Sequence, residues 1–249
     1  MNEQRFAQSL IAALIAGAIA APVVAGTLVA PGSSGDSVNK GLEVAPNTQV
    51  RDLDSVNGGI DVGDGASVGS IDSVNGGIDL GDNVSAESIE TVNGGVEAGD
   101  NLRLRGDIES VNGSLDFGPG AEIGGSVETV NGGLSLRQGG IGRDISTVNG
   151  GLDLRAVRVG GNIETVMGRV DLLEASVLSG NLVVRKPTGN SNWGWGKKRV
   201  PIIVIGEGSR VQGEIIVEND EAEVYVHEKA SVGKVSGVEI RRYSGVPPV

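Results

Sequence analysis

The motif Ser/Thr-Val-Asn-Gly-Gly followed by an aliphatic residue returns along this chain at an almost fixed interval. Its asparagine falls at Asn39, Asn57, Asn75, Asn93, Asn112, Asn131 and Asn149, with Lys40 and Ser114 as departures at single glycine positions; Met167 takes the eighth place. The spacings are 18, 18, 18, 19, 19, 18 and 18 residues. A unit of that length cannot enclose a core of its own, so its apolar side must be covered by the units before and after it.

The apolar residues repeat in the same register. Three residues after the asparagine comes Leu42, Ile60, Ile78, Val96, Leu115, Leu134, Leu152 and Val170, and two further on Val44, Val62, Leu80, Ala98, Phe117, Leu136, Leu154 and Leu172. A third column runs from Leu53 and Ile71 to Ile163, a fourth is the valine before each asparagine, and a looser fifth includes Val50, Val68 and Leu104. Alternation such as Ile78-Asp79-Leu80 is the two-residue period of a strand. The fold class expected is all-β: a single-stranded parallel β-helix (β-solenoid) with coils of 18–19 residues. Eight coils about 4.8 Å apart would give a rod on the order of 40 Å long.

Glycine is 42 of 249 residues, roughly a sixth, against about 7% in an ordinary chain. In a solenoid these glycines fall at corners, where Asn-Gly-Gly is expected to adopt positive φ. Gly63, Gly81, Gly99 and Gly118 suit a second corner. Asn57, Asn75, Asn93, Asn112, Asn131 and Asn149, one per coil, are placed to form a ladder of side-chain amides. A narrow interior filled by Val, Ile, Leu and Ala explains the six aromatics, of which the repeats hold only Phe117.

The same composition bears on chemistry. No cysteine and a single histidine leave no basis for disulfides, thiolate sites or a histidine metal cluster. The net charge of −12 opposes nucleic-acid phosphates. Two acidic columns flank the turn: Asp54, Asp72, Glu90, Glu109, Glu128 and Glu164, and Glu43, Asp61, Asp79, Glu97, Asp116, Asp153 and Asp171. They read as solvated outer surface, and Gly58-Gly59-Ile60-Asp61 lacks the second glycine step of a calcium repeat. Bare 18-residue coils provide no cleft around a carboxylate pair. His227, beside Val226, is expected to face solvent. No enzyme activity, metal or cofactor is expected.

Residues 1–25 read as a secretory signal, with an uncharged Leu10–Ala21 run and small residues beyond it; a retained anchor is the alternative, since Ser9–Ala30 is long enough to span a bilayer. Either way the chain is expected to be exported, to the periplasm or cell surface. A linker, 26–38, leads to the repeats, 39–184. Segment 185–200 breaks the pattern and holds both tryptophans. Trp193, Trp195, Lys197, Lys198 and Arg199 are the candidate contact residues, with Arg185 and Lys186 adding charge; exposed rings beside cations suit an envelope glycan, a protein or a membrane interface. The alternative is a loop folded back on the rod. Less regular C-terminal coils and a cap follow over 201–240, then a tail, 241–249. Residues 39–184 hold 22 acids and 9 bases, whereas 185–249 hold 8 and 10. The basic end makes head-to-tail self-association conceivable.

At the Val-Asn-Gly-Gly repeats, and at Ile205-Gly206-Glu207-Gly208-Ser209-Arg210-Val211-Gln212-Gly213, the chain resembles two bacterial groups. One is the exported short-coil β-helix proteins of the putative-adhesin type; the other is the bactofilins, polymer-forming cytoskeletal proteins. The resemblance implies a right-handed β-helix and a structural role, and it supplies no catalytic residue. The signal segment departs from the cytosolic bactofilins. The expected function is therefore a non-catalytic, adhesin-like scaffold, with a self-assembling filament as the alternative and a polysaccharide-acting enzyme last.

Overall fold

The computed structural model describes residues 27–187 and 200–247, and these form an all-β parallel solenoid of about 11 turns without a helix. Each turn contributes short strands to three parallel sheets. The first face holds twelve strands, from Thr27–Leu28 to Ile240–Tyr243. The second holds eleven, from Gly35–Ser37 to Val235–Ser236, and the third holds eight, from Ser85–Ala86 to Ser231–Val232. Eleven steps of about 4.8 Å make the rod on the order of 50 Å long.

Strict register carries the sequence columns into stacks. Leu42, Ile60, Ile78, Val96, Leu115, Leu134, Leu152 and Val170 lie one above another on the first face, and Ile203 and Val224 continue the line. All ten are buried and belong to one continuous core. At about 25 cal/mol per Å2 of apolar surface removed from water, that unbroken stack is the main stabilising force. Stacking reaches beyond the repeats. Thr27–Leu28 and Gly35–Ser37, in the stretch read as a linker, already pair with the next turn, and Arg241–Tyr243, read as tail, pair with Tyr225–His227.

Two expectations are corrected by the packing. The valine column before the asparagines does not enter the core. Val56, Val74, Val92, Val130 and Val148 are half-buried on the outer surface, and Val111 and Val166, though buried, stay outside the continuous core, because Ser/Thr at the preceding position takes the inward place. Ser55, Ser73, Thr91, Ser110, Thr129, Thr147 and Thr165 are buried there instead. His227 is also inside, not in solvent: it is 5% exposed, its Nδ1 accepts the Lys229 amide at 3.1 Å, and its ring meets Tyr243 edge-on at 5.1 Å.

The glycines are a third correction. None of the Asn-Gly-Gly glycines has positive φ. The first of each pair is required by proximity, since a Cβ on Gly76, Gly94, Gly113, Gly132 or Gly150 would overlap the carbonyl oxygen of the glycine one turn below. The second has more room, from 3.2 Å between a Cβ on Gly95 and the Ser114 carbonyl to 3.9 Å at Gly77. Positive φ falls at the corner between the first and third faces, at Asn47, Gly65, Asn83, Asn101 and Gly120, and later at Gln138, Ala156 and Glu174-Ala175. Asparagine and glycine enter the left-handed region most readily. Gly81 and Gly99, just before that corner, leave room for the Asp64 and Asp82 carboxylates, which accept the amides of Asp82 and Asp100 at 2.9 and 2.8 Å.

Candidate functional site

The corner between the second and first faces is built from the Ser/Thr-Val-Asn-Gly motif. Its buried hydroxyl donates to the carbonyl of the glycine three residues on, at 2.8 Å for Ser55–Gly58 and 3.1 Å for Ser73–Gly76. That bond closes the turn from inside. On the outside, each asparagine amide donates to the asparagine carbonyl oxygen one turn below. Asn57 reaches Asn39 at 3.1 Å, Asn75, Asn93, Asn112 and Asn131 each reach the one below at 2.9 Å, and Asn149 reaches Asn131 at 3.0 Å. The ladder runs unbroken over seven side chains. It stops where Met167 occupies the position, and there the hydroxyls of Thr147 and Thr165 lack a hydrogen-bond partner among the described residues.

The interrupted segment emerges from this same corner. Val184 lies in register with Thr165 and Ile202 with Arg169, so residues 185–201 replace one Asn-Gly-Gly turn. The insertion therefore starts one rung beyond Met167, at the head of the ladder. Its N-terminal root is fixed by Arg185, whose guanidinium donates to Glu164 at 3.0 and 3.2 Å and to Glu218 at 2.6 Å. These two carboxylates raise its pKa above the usual arginine value. Arg185 is thus an anchor, while Lys186 is exposed beyond it. Trp193, Trp195, Lys197, Lys198 and Arg199 lie outside the described residues, as does the signal or anchor segment, 1–25. Among the described residues no helix is long and apolar enough to cross a membrane.

The two acidic columns differ. On the first face Glu43, Asp61, Asp79, Glu97 and Asp116 are exposed, and Asp153 and Asp171 are half-buried beside Arg155 and Arg169 at 2.9 and 2.8 Å. On the second face the column is not the solvated surface expected. Asp54, Asp72, Glu90, Glu109 and Glu128 are half-buried, stacked on one another and walled by the valine column. Burial, with the charges of Glu90 and Asp54 adding to it, pushes Asp72 up to about 7. Burial and the charges of Glu90 and Glu128 do the same to Glu109. Among the described residues no cluster of three or more His, Asp or Glu side chains has a metal-holding geometry.

A groove of about 620 Å3 on the first face opens where Ala98 lies between Leu80 and Phe117. Asp79, Glu97, Asp116 and Arg137 rim it. Its carboxylates are successive copies in one column, and neither distance nor partner sets one apart as an acid or a nucleophile. The third face, which sequence reasoning left unassigned, carries Arg103, Arg105 and Arg158 around a shallow trough. Their signal in the sequence was only a shared register position, scattered among serine, glutamate and glycine. Compared with known proteins, the chain matches no family model, no curated protein and no solved structure.

Proposed function

We propose that this chain is a non-catalytic, exported, adhesin-like scaffold of the cell envelope, with the Trp/basic segment as its contact surface. One observation carries the reading. The single insertion replaces a tight turn at the head of the asparagine ladder, and Arg185 fixes its root to Glu164 and Glu218. A stiff rod that presents one irregular segment from a regular corner suits display better than turnover. Both tryptophans fall in that segment beside Lys197, Lys198 and Arg199, a composition fit for sugar rings bearing anionic groups. Replacing Trp193 and Trp195 together by Ala should weaken attachment to an isolated envelope fraction at least tenfold while leaving Tm unchanged. Attachment that survives the double substitution removes the segment from this role.

A second reading, a self-assembling filament, is favoured by the C-terminal end. Its last turn leaves Val232, Val235, Val238 and Ile240 only partly buried against the core. Ser231–Val232, Val235–Ser236 and Ile240–Tyr243 are the outermost strands of their sheets among the described residues, with no described strand pairing on their outer side. A second rod could continue the stack there.

A further inference from the structure

The third face departs from the charge of the rest of the rod. Along it the outward positions read Arg103, Glu122, Gly140, Arg158, Val177 and Arg210 in strict register. Arg105 projects beside Arg103, and all four arginines are exposed. Elsewhere Arg155, Arg169, Arg185 and Arg241 pair with carboxylates, while Arg137 and Arg143 stand singly without such a partner among the described residues. Arg103, Arg105, Arg158 and Arg210 have no such partner among the described residues. In a chain of net charge −12, with acid columns on both other faces, unpaired guanidinium groups gathered on one face form a local positive field.

The surface between them is concave. Gly124, Gly142 and Gly160 stack in one side-chain-free column above Arg105, and Gly140 lies between Glu122 and Arg158, leaving a trough of about 530 Å3 flanked by Arg103, Arg105 and Arg158. One carboxylate, Glu122, lies in it over Gly140. The Arg103 and Arg158 rungs are three turns apart, about 14 Å along the axis.

We propose that this trough binds an acidic polysaccharide laid along the rod. The guanidinium forks would hold carboxylate or sulfate groups in bidentate fashion, and the glycine floor would carry the flat faces of the sugar rings. An extended peptide is disfavoured, because the strands lining the trough pair on both sides and leave no edge to augment. A flat membrane cannot enter a concave trough.

The trough lies on the third face, whereas the Trp/basic segment is rooted at the corner between the second and first, and the variants test different residues, so failure of one assignment leaves the other intact. The test measures binding of the purified full chain to polygalacturonate and heparin, with dextran, anionic phosphatidylglycerol vesicles and single-stranded DNA as competing arms. Arg103→Gln with Arg158→Gln should weaken glycan binding at least tenfold and reduce its dependence on salt. Arg137→Gln, an exposed arginine on another face, should change it less than twofold, and circular dichroism should be unaltered in all variants. The proposal is overturned if neither acidic glycan binds, if dextran binds equally, if only vesicles or DNA bind, or if the double variant retains full affinity.

Discussion

The second glycine at Gly59, Gly77 and Gly151 has room for a side chain, whereas the first glycine of these turns has none. A Cβ at Gly94 would penetrate the carbonyl oxygen of Gly76, while one at Gly77 would approach nothing closer than 3.9 Å. Gly94→Ala should therefore cost about 1–3 kcal/mol by forcing adjacent turns apart. Gly77→Ala should be neutral within about 0.5 kcal/mol. Urea unfolding followed by circular dichroism separates them, and equal losses would contradict the proximity argument. The asymmetry was hidden in the sequence, where the two glycines look alike. It depends on which one lies over the carbonyl of the turn below.

At the scale of a strand column, the acids of the second face work against folding at neutral pH. Asp72 and Glu109 bind a proton more tightly in the rod than in the open chain, where carboxyls titrate near 4. Between about pH 4 and 7 the folded state therefore holds more protons than the unfolded one. The resulting stabilisation is complete below pH 4 and is lost as pH rises through 7. The rod should melt at a higher temperature at pH 5 than at pH 8. Asp72→Asn together with Glu109→Gln should raise the pH 8 Tm by about 2–4 °C, since solvent screening holds the gain near 1 kcal/mol. A Tm that falls on acidification to pH 5, or a variant no more stable than the parent at pH 8, would contradict this account. The columns were legible as acidic, but their burial was not, because it depends on the valines standing beside them rather than in the core.

For the whole molecule, the partly buried valines of the last described turn make association its testable property. If rods stack end to end, sedimentation should show concentration-dependent growth at micromolar protein. Val235→Lys with Val238→Lys, charges placed on the half-exposed last layer, should abolish that growth without changing Tm by more than a few degrees. Monomers across the whole concentration range would remove the filament reading. The last described layer differs from the interior ones in that its valines are only partly buried, which depends on position in the stack and not on any local sequence signal.

The sequence by itself determined the solenoid, its 18-residue pitch and the amide ladder, because a two-residue alternation repeated in register leaves an extended chain one way to bury its apolar side. It also marked the segment holding Trp193 and Trp195 as the exception, though not that it issues from the head of the ladder with Arg185 at its root. Only the tertiary structure decided that the valines face outward, that His227 is inside, that the left-handed residues lie at the other corner, and that Arg103, Arg105 and Arg158 share a trough. These depend on what stands one turn above and below, about 18 residues away along the chain yet within 5 Å or so in space. Periodicity reveals that neighbours exist; their stacking decides what each side chain meets.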